Sequence, residues 1–221
     1  MKNRLLFFLA LTVGCSSSWL AQFQRLEFEL VENKNLVPGQ TYRVYAVMSN
    51  QGDLIDAIFG EGESPLYIQS TKGFFQHPDG GALSRDILRY DVEKDEALRY
   101  DSWFTIGATD NYQNSVAAFP PAFEEALADF DAGENLETKD GAWFVTPDQR
   151  QCFANEDKRI LLMQLTSSGK IYGALGLHGR TKTDDNGDFN VIKEEGIQFF
   201  IKRTLWSRLF KTDSVIYSVT Y

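Results

Sequence analysis

Two stretches that echo each other constrain this chain most: residues 99–110, RYDSWFTIGATD, and residues 140–148, DGAWFVTPD. Each passes from an Asp into a Trp-Phe pair, then a Thr, then a turn residue, Gly107 in one and Pro147 in the other. Neighbouring side chains in a strand point to opposite faces, so Trp103 and Phe104 cannot share one side, nor can Trp143 and Phe144. Both stretches therefore read as strands apolar on two faces. Such strands belong in the middle of a sandwich or in one wall of a binding surface.

The rest of the chain supplies the partners. Leu26, Phe28 and Leu30 alternate with charged residues, and Pro38-Gly39 turns the chain into a strand over 41–49 that is apolar on both faces. Shorter strands are expected at 54–59 and 66–70, separated by a turn at GEGESP, 60–65. Residues 159–166 and 170–177, joined by Ser167-Ser-Gly169, read as a hairpin. After a polar loop over 179–190, the last strands are expected at 196–202 and 214–220. Residues 73–98 are irregular, with short helical turns, and offer Phe74, Phe75, Ile87 and Leu88 as a cover for the outer face of the Trp-Phe strands; an acidic amphipathic turn follows at 123–130. Short strands at this spacing predict an all-β fold, an antiparallel β-sandwich with one long irregular excursion and short helical turns. One such domain, residues 22–221, accommodates the 17 Phe and the 43% hydrophobic content.

Before it, residues 1–21 read as a signal peptide. Lys2 and Arg4 precede an apolar run over 5–13, too short to span a bilayer and of the right length for export. Cleavage after Ser18 or Ala21 is one route. The run TVGC at 12–15 resembles a lipoprotein box, so a lipid anchor at Cys15 is the alternative. No other segment is apolar enough to cross a membrane. With Cys15 removed or lipidated, Cys152 has no disulfide partner, and stability must come from the core. The net charge of −9 repels phosphate backbones, which argues against nucleic acid as a partner.

The runs YRVYA at 42–46, FFQ at 74–76 before Gly80-Gly81, YDSWFTIG at 100–107, DGAWFVTP at 140–147 and RILLMQLT at 159–166 occur in one order. In this the chain resembles a group of uncharacterised secreted proteins of marine bacteria. The resemblance covers roughly residues 40–200 and implies a secreted domain, often joined to sorting or anchoring segments. It carries no activity and no catalytic residues.

Candidate chemistry falls into four places. Trp103 and Trp143, if exposed, could stack on the apolar face of a sugar ring, with His77 in the excursion as a further ligand contact; if buried, both indoles are core. Asp184, Asn186 and Asp188 alternate, and Glu195 falls twelfth from Asp184, the spacing of a calcium loop. Phe189 stands where such a loop needs Gly, and a strand precedes it, so a solvated acidic turn competes with calcium as cofactor. The two histidines, His77 and His178, lie beside turn residues, and no nucleophile motif surrounds any Ser. Residues 201–211, IKRTLWSRLFK, form either a basic amphipathic helix or the edge joining the last strands. The expectation is a secreted or surface-anchored, non-enzymatic binding or structural module, with carbohydrate or a cell-surface protein as partner. A secreted hydrolase acting on an extracellular polymer is the alternative.

Overall fold

The computed structural model describes residues 23–182 and 189–201. Their strands form two antiparallel sheets, and the all-β sandwich expected from the sequence is the fold. The first sheet has the order β1 (Phe23–Val31), β2 (Gln40–Met48), β7 (Arg159–Ser167), β4 (Trp103–Phe104). The second has the order β5 (Ala117–Phe119), β6 (Leu136–Phe144), β3 (Leu54–Ser70), β8 (Ile171–Lys182), β9 (Phe189–Ile201). Alternation sets the faces, as β1 shows. Its Leu26 and Phe28 enter the core, while Glu27 and Glu29 stay outside and pair with Arg159 at 2.8 and 3.4 Å.

The two echoing stretches meet across the sandwich. Phe104 of the first sheet stacks on Trp143 of the second, with centroids 4.6 Å apart and planes at 25°. Trp143 Nε1 donates to the Thr105 carbonyl at 2.9 Å, so the buried indole has its polar atom satisfied. Phe130 of helix α2 (Phe123–Asp131) continues the stack at 4.4 Å from Phe104, and Phe74 lies 5.0 Å beyond it. Trp103 points the other way, as alternation requires. It sits in a second, smaller cluster with Ile87, Leu98 and Leu161 on the outer side of the first sheet. The excursion is therefore the cover for that face, but not through all the residues the sequence offers. Ile87 covers, whereas Leu88 is exposed and Phe74 joins the main core.

Three expectations are corrected. Residues 54–70 are one strand, not two. The run GEGESP does not reverse the chain but bulges out of β3, with Glu61 opposite Asp140 and Leu66 already opposite Thr138. Gly62 takes φ +52° there, and a Cβ on Gly60 would overlap Leu66. Next, residues 159–177 are not a hairpin. β7 has both edges filled, by β2 and β4, while β8 pairs with β3 and β9, so the turn carries the chain from one sheet to the other. Turn residues signal a change of direction, and pairing is decided by which edges are free. Ser167 braces this crossing, sharing a hydrogen bond with Ser70 Oγ at 2.7 Å and donating to the Gly73 carbonyl at 2.6 Å. Finally, most of 179–190 is strand where described, because β8 runs to Lys182 and β9 begins at Phe189. The expected strand at 214–220, the leader with Cys15, and all of 201–211 beyond Ile201 lie outside the described residues. Among the described residues, no helix is long and apolar enough to cross a membrane.

If the inter-sheet stack holds the sandwich together, Phe104→Ala and Trp143→Ala should each cost about 3–5 kcal/mol in urea unfolding. The double variant should reveal a coupling of about 0.5–1.5 kcal/mol beyond additivity. Losses below about 1 kcal/mol would place the stabilising contacts elsewhere.

Candidate functional site

Covering the first sheet with irregular chain brings backbone carbonyls against a buried surface, where each needs a donor. β7 supplies it through Gln164, which is fully buried next to Trp103 of β4. Gln164 Nε2 donates to the carbonyls of Arg99 and Asp101, at 3.0 and 2.8 Å, and its Oε1 accepts from Arg43 Nε at 3.0 Å. One amide therefore fixes the chain at residue 99 and the guanidinium of Arg43 on β2. Thr166, two residues along β7, does the same for Tyr100, whose carbonyl it binds.

Between this anchored segment and helix α1 (Arg89–Lys94) lies a cavity of about 270 Å³. Its floor is Trp103, Ile87 and Val92, and its rim carries Arg43, Arg89 and Arg99. Glu93 and Asp110 also line it. Arg89 Nε donates to Asp110 Oδ1 at 2.8 Å, and its guanidinium lies 4.3 Å from the centre of the Tyr112 ring. Arg99 hydrogen-bonds no side chain among the described residues. Two cations held in place, and a third unspent, line a cavity backed by buried apolar side chains.

A second buried polar group holds the excursion. Asp101 is completely buried; its Oδ1 accepts from the His77 backbone N–H at 2.7 Å and its Oδ2 from that of Gly81 at 3.3 Å. A Cβ on Gly80 would overlap this carboxylate, so glycine is required for the loop to wrap it. Burial pushes the Asp101 carboxyl up to about 7, even though backbone N–H groups of His77, Gly81 and Ser102 pull it down.

The residues singled out from the sequence are placed as follows. Trp103 has 2% of its surface exposed and forms the floor of the cavity, so its part there is a wall rather than an open stacking platform. Trp143 is fully buried in the main core and presents no face to a ligand, so of the two readings the core one describes its place. The structure does not bring the two indoles side by side, because alternation sends them to different layers. His77 is buried and lies outside the cavity. Its Nδ1 accepts from the Asp79 N–H at 3.2 Å, which leaves Nε2 to donate to Asp95 at 3.2 Å. Asp184, Asn186 and Asp188 lie outside the described residues. Glu195 lies within β9, six residues and about 20 Å of extended chain from Phe189. It pairs with Lys193 at 2.8 Å, a bond that holds its carboxyl below the usual range. Among the described residues, no three His, Cys, Asp or Glu side chains gather to hold a metal.

Of the enzyme candidates, His178 Nδ1 is hydrogen-bonded to Asp56, itself 3.6 Å from Arg180 Nε. Cys152 is buried, its thiol donates to the Gln149 carbonyl at 3.0 Å, and burial pushes it up to about 11. That is a structural thiol, the opposite of an activated nucleophile.

The arginine cavity escaped the sequence reading. Its cations come from a strand, an α-helix and a 3-10 helix, and nothing in local periodicity joins them. One signal was present. The tripeptide Arg-Tyr-Asp recurs at 89–91 and 99–101, and the first residue of each copy reaches the cavity. No family model matches this chain, and no curated protein or solved structure matches it.

Two outcomes follow. A carboxyl raised in the folded state contributes stability that is fully present below about pH 4 and lost as pH rises through about 7. Between about pH 5 and about pH 8, the wild-type protein should therefore lose on the order of 2–4 kcal/mol relative to Asp101→Asn. Equal pH slopes for the two proteins would exclude a raised Asp101. In native protein, thiol labelling with peptide mapping should find Cys152 unmodified, and modified only after unfolding.

Proposed function

We propose that this chain is a secreted or surface-anchored, non-enzymatic binding module, and that it takes carbohydrate in the cavity floored by Trp103. The observation that carries the reading is that cavity. It combines an apolar lining, Val92 backed by buried Trp103 and Ile87, with guanidinium donors from several elements, the usual make-up of a small-ligand site. Its volume of about 270 Å³ suits one sugar unit rather than a large cofactor. Secretion is supported by the export-type leader at residues 1–21 and by the resemblance to secreted proteins.

Binding is preferred to hydrolysis because of how the candidate reactive groups are used. Both imidazoles bond to aspartates, Asp95 for His77 and Asp56 for His178, and the Cys152 thiol is held protonated. Neither histidine shares its bond with a hydroxyl or thiol that it could activate.

A glycan array tests the reading. The purified protein should be retained on at least one glycan class, and no released reducing ends should accumulate on prolonged incubation. Retention no better than that of heat-denatured protein would end the carbohydrate reading. Release of reducing ends would instead favour the hydrolase.

A further inference from the structure

We propose that the cavity is a subsite for the carboxylate or sulfate group of an acidic carbohydrate. This rests on the carbohydrate-binding reading above and names its substrate class.

The charge inventory carries the proposal. The protein bears a net charge of −9, yet three guanidinium groups converge on one cavity. Each guanidinium has five N–H donors in a planar fork that matches two oxygens of a carboxylate or sulfate. Arg43 and Arg89 spend only Nε within the protein, on Gln164 and Asp110, so the terminal nitrogens of both stay unspent among the described residues. Arg99 spends none. Its backbone is fixed, because Gln164 holds its carbonyl, and its exposed side chain is free to close on a ligand. The same buried amide places the Arg43 guanidinium in advance, which lowers part of the ordering cost of binding.

The acids do not cancel this. Asp110 is already occupied, with Oδ1 accepting from Arg89 Nε and the Tyr112 N–H, at 2.8 and 2.9 Å, and Oδ2 from Thr109 Oγ1 at 3.3 Å. Glu93 alone faces the cavity without a hydrogen bond among the described residues, and it competes with an incoming anion. The apolar floor supplies what a bare anion site lacks. Of that floor, Val92 offers C–H surface to the body of a sugar whose charged substituent meets the arginines, while Trp103 and Ile87, each 2% exposed, back it from within. A free inorganic anion would leave that floor uncovered.

Calorimetry with three galactan probes tests this: a neutral galactan oligomer, a sulfated galactan oligomer and a galacturonate oligomer of matched length. At least one acidic oligomer should bind about tenfold or more tightly than the neutral one, and its affinity should fall as salt rises from about 0.05 to 0.5 M. Whichever acidic oligomer binds better identifies sulfate or carboxylate as the preferred group. Arg99→Ala should lose about tenfold or more, and Glu93→Gln should gain affinity. Both side chains are exposed, so unchanged unfolding midpoints will show that the variants fold. Equal binding of all three oligomers, unmoved by Arg99→Ala, would overturn the proposal while leaving carbohydrate binding intact. No binding of any oligomer by the native protein would overturn the proposal, and retention on the glycan array would then show that carbohydrate binding itself stands. An oligoglutamate peptide that displaces the acidic sugar at equal concentration would overturn the assignment to carbohydrate.

Discussion

β7 is buried along nearly its whole length on both faces, and much else in the molecule answers to that constraint. A central strand with its inner face in a sandwich core normally offers the outer face to water. Here the outer face carries Gln164 and Thr166, both fully buried, beneath an irregular segment that has no ladder partner for its own carbonyls. An unmatched buried carbonyl or amide costs about 1–3 kcal/mol, so the cover and the strand must match atom for atom. They do so through the Gln164 amide, the Thr166 hydroxyl and the Asp101 carboxylate. Among the described residues the match leaves two buried side-chain atoms without partners, Gln76 Oε1 in the excursion and Arg159 Nε at the start of β7.

The same layer accounts for the cavity. A segment anchored by its backbone at residues 99 and 101, with α1 held off by Trp103 and Ile87, leaves a concavity beside the anchor rather than a sealed interface. Of the arginines bordering it, Arg43 and Arg89 are tied by side-chain hydrogen bonds and keep their aim without a ligand, whereas Arg99 is tied through its backbone. Against a negative protein surface, a local positive concavity also focuses the field inward, which favours capture of anions that the surrounding surface repels.

The inter-sheet stack and the polar layer divide the work. Phe104 and Trp143 bring the sheets together through apolar area, a contact tolerant of small shifts. The Gln164 and Asp101 hydrogen bonds are directional and admit one placement of the excursion. Both contribute to stability, but the geometry of the site is set by the second.

What the sequence by itself determined follows from alternation. Period-two patterning placed β1, a run apolar on both faces placed β2, the Trp-Phe strands announced burial on two faces, and the irregular composition of 73–98 identified the cover. These are local properties, written in neighbouring residues. Pairing was not legible, because the signals at Ser167–Gly169 and at 60–65 mark a change in backbone path without saying which strand edge is free. Nor was the site. Arg43 lies 46 residues before Arg89, and only the docking of the excursion on β7 brings them to one cavity. The Arg-Tyr-Asp repeat hinted at two of the three. Whether an arginine lines a pocket or a solvated face depends on what its backbone is tied to, and for Arg99 that tie is a buried amide 65 residues away. Contacts of that range exist only once the sandwich has closed.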